Sequence, residues 1–453
     1  MKLFKKCILL AVSAFSIASC KKTEPVIQSQ NDNQTDHTQK ELFAQGCIPY
    51  KGTVQIPNAA LNMHDATDLK IDKAGNLYLT ATGNQNTITK YNAAGTLQWT
   101  TNFNAAKIDI DAQGRIYGIA QADDYNINGL PGYFRTATCA VLNSGGTYIK
   151  NGVIAKVVNR KGNTYTDMNV DEAGNMYLIG LYDAGYSQGT FGQPDKDLPG
   201  SGFVFQKWSP TGALLINNLS LKTSLKGLEK LNALYLTGDG GFIVIGQARV
   251  GSTTYVVVAK YNSNIQQVWL KVTPDGISAS INSYSKIFTD KSATGDMYVY
   301  LTTNTRSVLS KFNNTGNLIW SKELSPEALI ERKDMAVGPA GSVYFTGTYT
   351  GNPDFDPGAG AYRLKDATND GQAQMFIEKY SVAGNFAGAT GFYNSVSSIY
   401  YQSSSTIAVD KNNNIVHAGS FTGTMDFDPT TGVKNIAPTN GANIFVNVLS
   451  ECE

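Results

Sequence analysis

The chain has 453 residues, with 44 Gly, 24 Tyr and 19 Phe against 14 Pro at 42% hydrophobic content, a composition that suits a turn-rich β protein and excludes a wholly disordered or multi-spanning chain. Lys plus Arg number 37 and Asp plus Glu 36, a net charge of +1, so there is no cation excess to neutralise phosphates and nucleic acid is not an expected partner. At about 150 residues per domain the length suggests roughly three domains, a count that internal repeats overturn.

The N-terminus reads as an address. Met1–Lys6 carries Lys2, Lys5 and Lys6, and the apolar run Cys7–Ile17 that follows is too short to span a bilayer, as in a secretory leader. Ile17-Ala18-Ser19-Cys20 resembles the lipobox of bacterial lipoproteins, which implies that residues 1–19 are a signal peptide and that Cys20 carries the lipid, palmitate included. An ordinary signal peptide cleaved nearby, with Cys20 left as a spare thiol, is the alternative. Lys21 follows the Cys, and no Asp stands there to mark inner-membrane retention, so the expected location is the outer membrane, on its periplasmic or its cell-surface face. The start Cys20-Lys21-Lys22-Thr23-Glu24 is similar to the charged segment of surface-exported lipoproteins in Bacteroidetes, without the acidic pair usual there. Loss of the leader removes three Lys and no acid, which leaves 34 cations to 36 anions. Residues 20–46 are polar and rich in Gln and Asn, a flexible tether, and residues 47–453 form the folded domain.

From residue 68 to 419 one pattern recurs: an alternating apolar strand ending in Asp, a short Gly-Asn turn, then a second strand with an aromatic near its centre. The seven copies are 68–81, 108–120, 167–180, 233–246, 286–300, 334–347 and 406–419. Asp, Gly and Asn tolerate the φ > 0 of a tight connection, and Val, Ile, Tyr and Phe fill the flanking strands. The turn residues Gly75, Gly114, Gly174, Gly240, Gly295, Gly341 and Asn413 lie 39 to 72 residues apart. A second Gly turn follows most copies and adds two more strands, only blurred around Asn143-Ser144-Gly145-Gly146 in the second. Four short strands per repeat at this period predict an all-β, seven-bladed β-propeller with four antiparallel strands per blade. Trp99, Trp269 and Trp320 fall at one position of the fourth strand and read as blade-to-blade packing.

The seventh copy runs out after its third strand, 442–450, so the segment 50–57 is expected to supply the fourth and close the ring. Cys47 precedes that segment and Cys452 follows the last strand, which predicts a Cys47–Cys452 disulfide in an oxidising compartment; two unpaired thiols near the chain ends are the alternative. Cys139 has no partner left and reads as a buried small hydrophobe.

The strings 345–360 and 421–432, each with an Asp-Phe-Asp-Pro loop and a following strand like 376–381, resemble the SBBP β-propeller repeats of secreted bacterial proteins common in Bacteroidetes, with an eroded loop at 194–200. The Asp-x-x-Gly-Asn-x-Tyr element is also similar to NHL-type and gluconolactonase-like propellers. The first resemblance covers residues 57–450 and implies a cell-surface or secreted propeller of unassigned biochemical role.

Asp354 and Asp356, and again Asp426 and Asp428, put two carboxylates two residues apart in a Gly- and Pro-rich loop. That spacing suits a hard cation such as Ca²⁺, and equally suits turn chemistry in which Asp caps backbone N–H groups. Asp124–Gly129 matches the start of an EF-hand loop, but Arg135 stands where the bidentate Glu belongs. Four residues before the strand-ending Asp or its counterpart stand Asp68, Lys107, Asp167, Ala233, Lys286, Asp334 and Thr406. On the innermost strands these charges form a ring at the channel mouth, either a site for a polar ligand or metal or a set of mutually satisfied charges. His37, His64 and His417 are the whole histidine inventory, and no G-x-S-x-G, P-loop or H-E-x-x-H string occurs, so no catalytic residue is assigned. The expected function is an envelope-anchored, monomeric propeller that binds or scaffolds a protein or glycan partner. The alternative is a Ca²⁺-dependent hydrolase or lyase working from the channel carboxylates.

Overall fold

The structure, a computed structural model, describes residues 50–56, 63–83, 86–127, 130–158, 165–182, 186–190, 193–198, 202–218, 228–250, 253–272, 286–302, 306–325, 329–365, 372–394, 402–439 and 441–450. Cys20, Cys47 and Cys452 lie outside these residues, and with them the expected lipid attachment and disulfide. Among the described residues there is no helix, and none long and apolar enough to cross a membrane.

Each repeat folds into an antiparallel sheet, and the seven sheets make a seven-bladed propeller. Blade one runs outward through Met63–Ile71, Leu77–Gly83, Thr87–Tyr91 and Leu97–Asn102. Blades two to six start from the inner strands Lys107–Ile110, Asp167–Val170, Leu228–Leu236, Lys286–Lys291 and Ile330–Val337. Blade seven is composite: Gln402–Val409, Asn414–Phe421 and Asn443–Ser450 come from the end of the chain, and Tyr50–Ile56 supplies the outer strand. Val54 pairs with Val446 and Ile56 with Ile444, so the ring closes by strand pairing as the sequence predicts.

The repeated turn explains its own motif. In blade one the Gly75 N–H donates to the Asp72 carbonyl at 2.9 Å and the Asp72 N–H to the Asn76 carbonyl at 3.0 Å, a hairpin that places Gly75 at φ 85°. One oxygen of the Asp72 carboxylate accepts the Ala74 and Asn76 N–H groups, and the other accepts the Asn76 amide and the Tyr78 hydroxyl. Asp, Gly, Asn and Tyr are thus one bonded unit at each end of which a strand begins. The second turn of blade two, blurred in sequence, has the same geometry: Asn143 accepts the N–H groups of Gly145 and Thr147.

Because blades pack face against face, their middle strands are buried on both sides and read as unbroken apolar runs; Met297–Thr302 is buried throughout. Seven hydrophobic clusters result, one at each seam between neighbouring blades. The blade three–four seam stacks Phe205, Phe242 and Tyr261 with ring centroids 4.1 and 5.1 Å apart. Trp99 packs on the Gly146 turn of blade two, Trp269 on Gly316 of blade five and Trp320 on Gly384 of blade six, where a side chain in place of Gly would overlap the indole.

Two exposed edges are covered by the following blade. The loop between the second and third strands of blade three forms Tyr186–Thr190 and Gln193–Leu198, and the first of these pairs with the outer strand of blade two, Tyr148–Val158. Residues 194–198 of the eroded loop string are therefore strand, and 199–200 lie outside the described residues. The corresponding loop of blade seven, Met425–Asp426 with Asn435–Ile436, caps the outer strand of blade six, Phe386–Asn394. Both devices remove an open row of N–H and C=O groups. Residues 124–127 of the EF-hand-like string lie in the strand Ile116–Ile127, and 128–129 lie outside the described residues.

Candidate functional site

Inner strands alternate side chains, so every second residue faces the channel. Measured back from the residue that opens each turn, an upper level four residues away holds Asp68, Lys107, Asp167, Ala233, Asp334 and Thr406, and a lower level two residues away holds Lys70, Asp109, Asn169, Tyr235, Asp290, Ala336 and Ala408. Blade five corrects the sequence reading. Its turn opens at Ser292, whose carbonyl accepts the Gly295 N–H at 2.9 Å, so the register position four residues before the turn is 288 and not that of Lys286. Lys286 pairs with Thr302 two residues further from the turn, and its side chain lies outside those described.

The channel carboxylates join blade to blade. Asp68 accepts the Ile108 N–H of blade two at 2.9 Å, Asp109 the Val170 N–H of blade three at 2.7 Å, and Asp167 the Leu234 N–H of blade four at 2.7 Å. Asp290 accepts the Val337 N–H of blade six at 2.9 Å, and Asp334 accepts the Ile407 N–H and the Thr406 hydroxyl of blade seven at 3.0 and 2.9 Å. At the closing seam Ser405 donates to Asp65. In Asp68, Asp109, Asp290 and Asp334 the second oxygen accepts the N–H of the next residue in the same strand. Each of these carboxylates accepts a backbone N–H of the neighbouring blade, which is why acids recur on an innermost strand.

Lysines complete the balance. Lys70 pairs with Asp68 at 3.0 Å and Lys107 with Asp167 at 2.8 Å, while Lys333 donates to the Ser403 hydroxyl at 2.9 Å. Burial by itself lowers the Lys70 ammonium, but Asp68 and Asp109 beside it outweigh that and hold it above its ordinary value. Burial pushes the carboxyls of Asp109 and Asp334 up to about 6, against the N–H groups that stabilise their charged forms. The channel encloses about 740 Å³ and is lined by Asp68, Lys70, Lys107, Asp109, Asp167, Asp290, Lys291, Lys333 and Asp334 among its charged residues. Of these, Asp109, Asp290, Lys70, Lys291 and Lys333 escaped the sequence reading. The alternation Lys107-Ile108-Asp109 carried the signal for Asp109.

The Asp-Phe-Asp-Pro loops of blades six and seven are twins. Asp354 accepts the N–H groups of Asp356 and Tyr362, and Asp426 those of Asp428 and Lys434; Asp356 caps Gly358 and Asp428 caps Thr430. Phe355 and Phe427, between the acids, are fully buried. In each of the four carboxylates one oxygen is bonded to backbone. Among the described residues no three His, Cys, Asp or Glu side chains are grouped so as to hold a metal ion.

His417 is fully buried in blade seven. Asn447 donates to its Nε2 at 3.1 Å, so Nδ1 carries the proton and donates to Ser404 at 2.9 Å. Thr53 of the closing strand donates to Asn447 at 2.8 Å, which ties the N-terminal strand into this chain of bonds. Burial lowers the His417 pKa to about 3. Cys139, buried against Met176, has its thiol pushed well above the ordinary range by burial. Neither group has the access or the ionisation that nucleophilic or acid–base chemistry needs.

No protein-family model matches the chain, and no curated protein matches it. Among solved structures it is similar to a protein from Lactobacillus plantarum, at 12% identity and a TM-score of 0.43 over 71% of this chain and 82% of that one. It is also similar to the β-propeller domain of the Trilobed protease from Pyrococcus furiosus, at 10% identity and 0.42 over 83% and 99%. A third is regucalcin, a calcium-binding protein from Agrobacterium tumefaciens, at 11% identity and 0.32 over 66% and 87%.

Proposed function

We propose that the protein is an envelope-anchored binding or scaffolding propeller, held to the outer membrane by a lipid on Cys20 and presenting its loop faces to a protein or glycan partner. The observation that carries this reading is the use of the channel carboxylates: Asp68, Asp109, Asp167, Asp290 and Asp334 are each bonded to the backbone of the next blade. Acids committed to holding the ring together are poorly placed to turn over a substrate, and the remaining chemistry of a propeller lies in its surface. The leader and the resemblance to secreted SBBP-type repeats support the address.

The test uses purified protein lacking residues 1–20. Affinity capture of envelope proteins and glycans, with and without Ca²⁺, is expected to yield a saturable partner whose binding survives chelation. Turnover of lactones or glycans that disappears with chelator overturns the reading in favour of a Ca²⁺-dependent hydrolase or lyase. That second reading has one observation on its side: the Asp109 and Asp334 carboxyls at about 6 face a channel large enough for a small substrate. For the address, metabolic labelling of the full chain with a clickable palmitate analogue is expected to mark wild type and to leave Cys20→Ser unmarked.

A further inference from the structure

In the inner strands of blades one, four, six and seven the pairing with the second strand slips by one residue, a β-bulge that leaves Thr67, Asn232, Lys333 and Ser405 outside the register. Each stands five residues before its turn, beyond the upper level, and lines the channel toward the mouth remote from the Gly turns. Blades six and seven are neighbours, so the bulges bring Lys333 and Ser405 to one side of that mouth. Ser403, two residues before Ser405 in the same strand, is fully buried, whereas Ser405 and Lys333 are half-buried.

A directed chain of bonds crosses here from blade six to blade one. The Lys333 ammonium donates to the Ser403 hydroxyl at 2.9 Å, the Ser403 and Ser405 hydroxyls lie 3.1 Å apart, and Ser405 donates to Asp65. Because Ser405 directs its proton at Asp65, the Ser403 proton is left to point at the Ser405 oxygen. Asp65 also differs from the other seam carboxylates. Across its seam it meets hydroxyls, Ser405 and, at 3.5 Å, Ser420, and the N–H that it accepts, at 3.0 Å, belongs to Ala66 beside it. Burial raises the Asp65 carboxyl, and the Ser405 bond and the Lys333 charge oppose that shift only in part. The other charged groups of the surrounding strands are engaged elsewhere: Asp68 with Lys70, Lys107 with Asp167, Asp109 with Val170, Asp334 with Ile407, Glu331 with Thr348 and Arg332 with Glu378, while His417 is neutral.

We propose that Ser405 is the nucleophile of an acyl-transfer site that hydrolyses small carboxylic esters, with Asp65 as its general base and Lys333, acting through Ser403, as a positioning residue. The Ser405 oxygen attacks the ester carbonyl carbon while Asp65 takes its proton; the carbon–oxygen bond to the leaving alcohol then breaks, and Asp65 passes the proton to that alcohol. Water attacks the acyl-Ser405 that results, Asp65 takes a proton from the water, and release of the acid returns that proton to Ser405. The proposal is independent of the partner reading above, which concerns macromolecules at the loop faces. It differs from the Ca²⁺-dependent reading in that turnover is expected to survive chelation.

The probe is p-nitrophenyl butyrate, given to the full chain with and without chelator, with nitrophenolate release followed by absorbance and the butyryl group located by peptide mass mapping. Saturable release and a butyryl group on Ser405 are expected in both conditions. Ser405→Ala is expected to abolish both, and Asp65→Asn to slow release at least about tenfold. Ser405→Cys keeps a nucleophile of similar size and is expected to take the butyryl group on sulfur, an outcome that does not depend on how the Ala variant folds. Lys333→Met is expected to move the acidic limb of the rate to higher pH, because the Lys333 charge no longer lowers the Asp65 carboxyl. Absence of saturable release overturns the proposal, as does a butyryl group found on a lysine in place of Ser405. Release that is unchanged in Ser405→Ala, or that disappears with chelator, also overturns it, and an unmoved acidic limb in Lys333→Met overturns the positioning role.

Discussion

Arg332 and Glu378 are both fully buried, bonded through Nε and Nη at 2.7 and 2.9 Å, with Tyr380 donating to the same carboxylate at 2.6 Å. A pair taken this far out of water is held by its complete set of partners, including the Ser325 carbonyl at 3.0 Å from the guanidinium. Truncating one member strands the other: Glu378→Leu is expected to lose about 3–5 kcal/mol of unfolding free energy, and Arg332→Met with Glu378→Leu to recover much of it. Urea titration of the three proteins checks both outcomes. His417 ties stability to pH. Its folded pKa of about 3 lies below the unfolded value, so the unfolded state binds more protons across the interval between about 3 and 6.5, and the contribution is lost as pH falls through it. Asp109 and Asp334, raised to about 6, act with the opposite sign between about 4 and 6 because there the folded state holds the extra protons. Removing the histidine term in His417→Gln is therefore expected to make stability fall less, or rise more, on acidification from pH 6.5 to 4. Urea midpoints at the two pH values measure it, and an unchanged pH dependence contradicts the assignment.

Among the elements, the turns were readable from sequence and the hydrogen bonds between blades were not. Asp72, Gly75, Asn76 and Tyr78 bond within seven residues, so their spacing recurs as a local motif. The bond from Val170 to Asp109 joins residues 61 positions apart, and nothing near Asp109 announces it. The blade five strand was read two residues out of place because Asp290 mimics the turn-opening acid, whereas the left-handed Gly295 fixes Ser292 in that role. The Trp row was legible as packing; its receiving surface, the next blade's Gly turn, was not. Gly316 has φ 77° and faces the Trp269 ring, so Gly316→Ala adds backbone strain to overlap and is expected to cost about 1–3 kcal/mol. Gly351, at φ 66° with open space around it, is the control in which Ala meets the strain alone and loses less. Thermal unfolding of the two variants separates packing from backbone conformation.

For the whole molecule, a length that suggests about three domains contains, in the described residues, one ring of seven blades closed by the strand Tyr50–Ile56. Closure was legible because the last repeat lacked a strand and the segment at 50–57 had no repeat of its own. The role of the charged channel was not, since one sequence shows which residues alternate inward but not which backbone groups of the neighbouring blade they meet. These carboxylates are bonds between blades. Unfolding free energy of wild type and Asp334→Ala, each in chelator and in millimolar Ca²⁺, checks this. A loss of about 1–3 kcal/mol is expected in Asp334→Ala, the same in both conditions, with wild type indifferent to Ca²⁺. Stabilisation of wild type by Ca²⁺ that is abolished in Asp334→Ala overturns it.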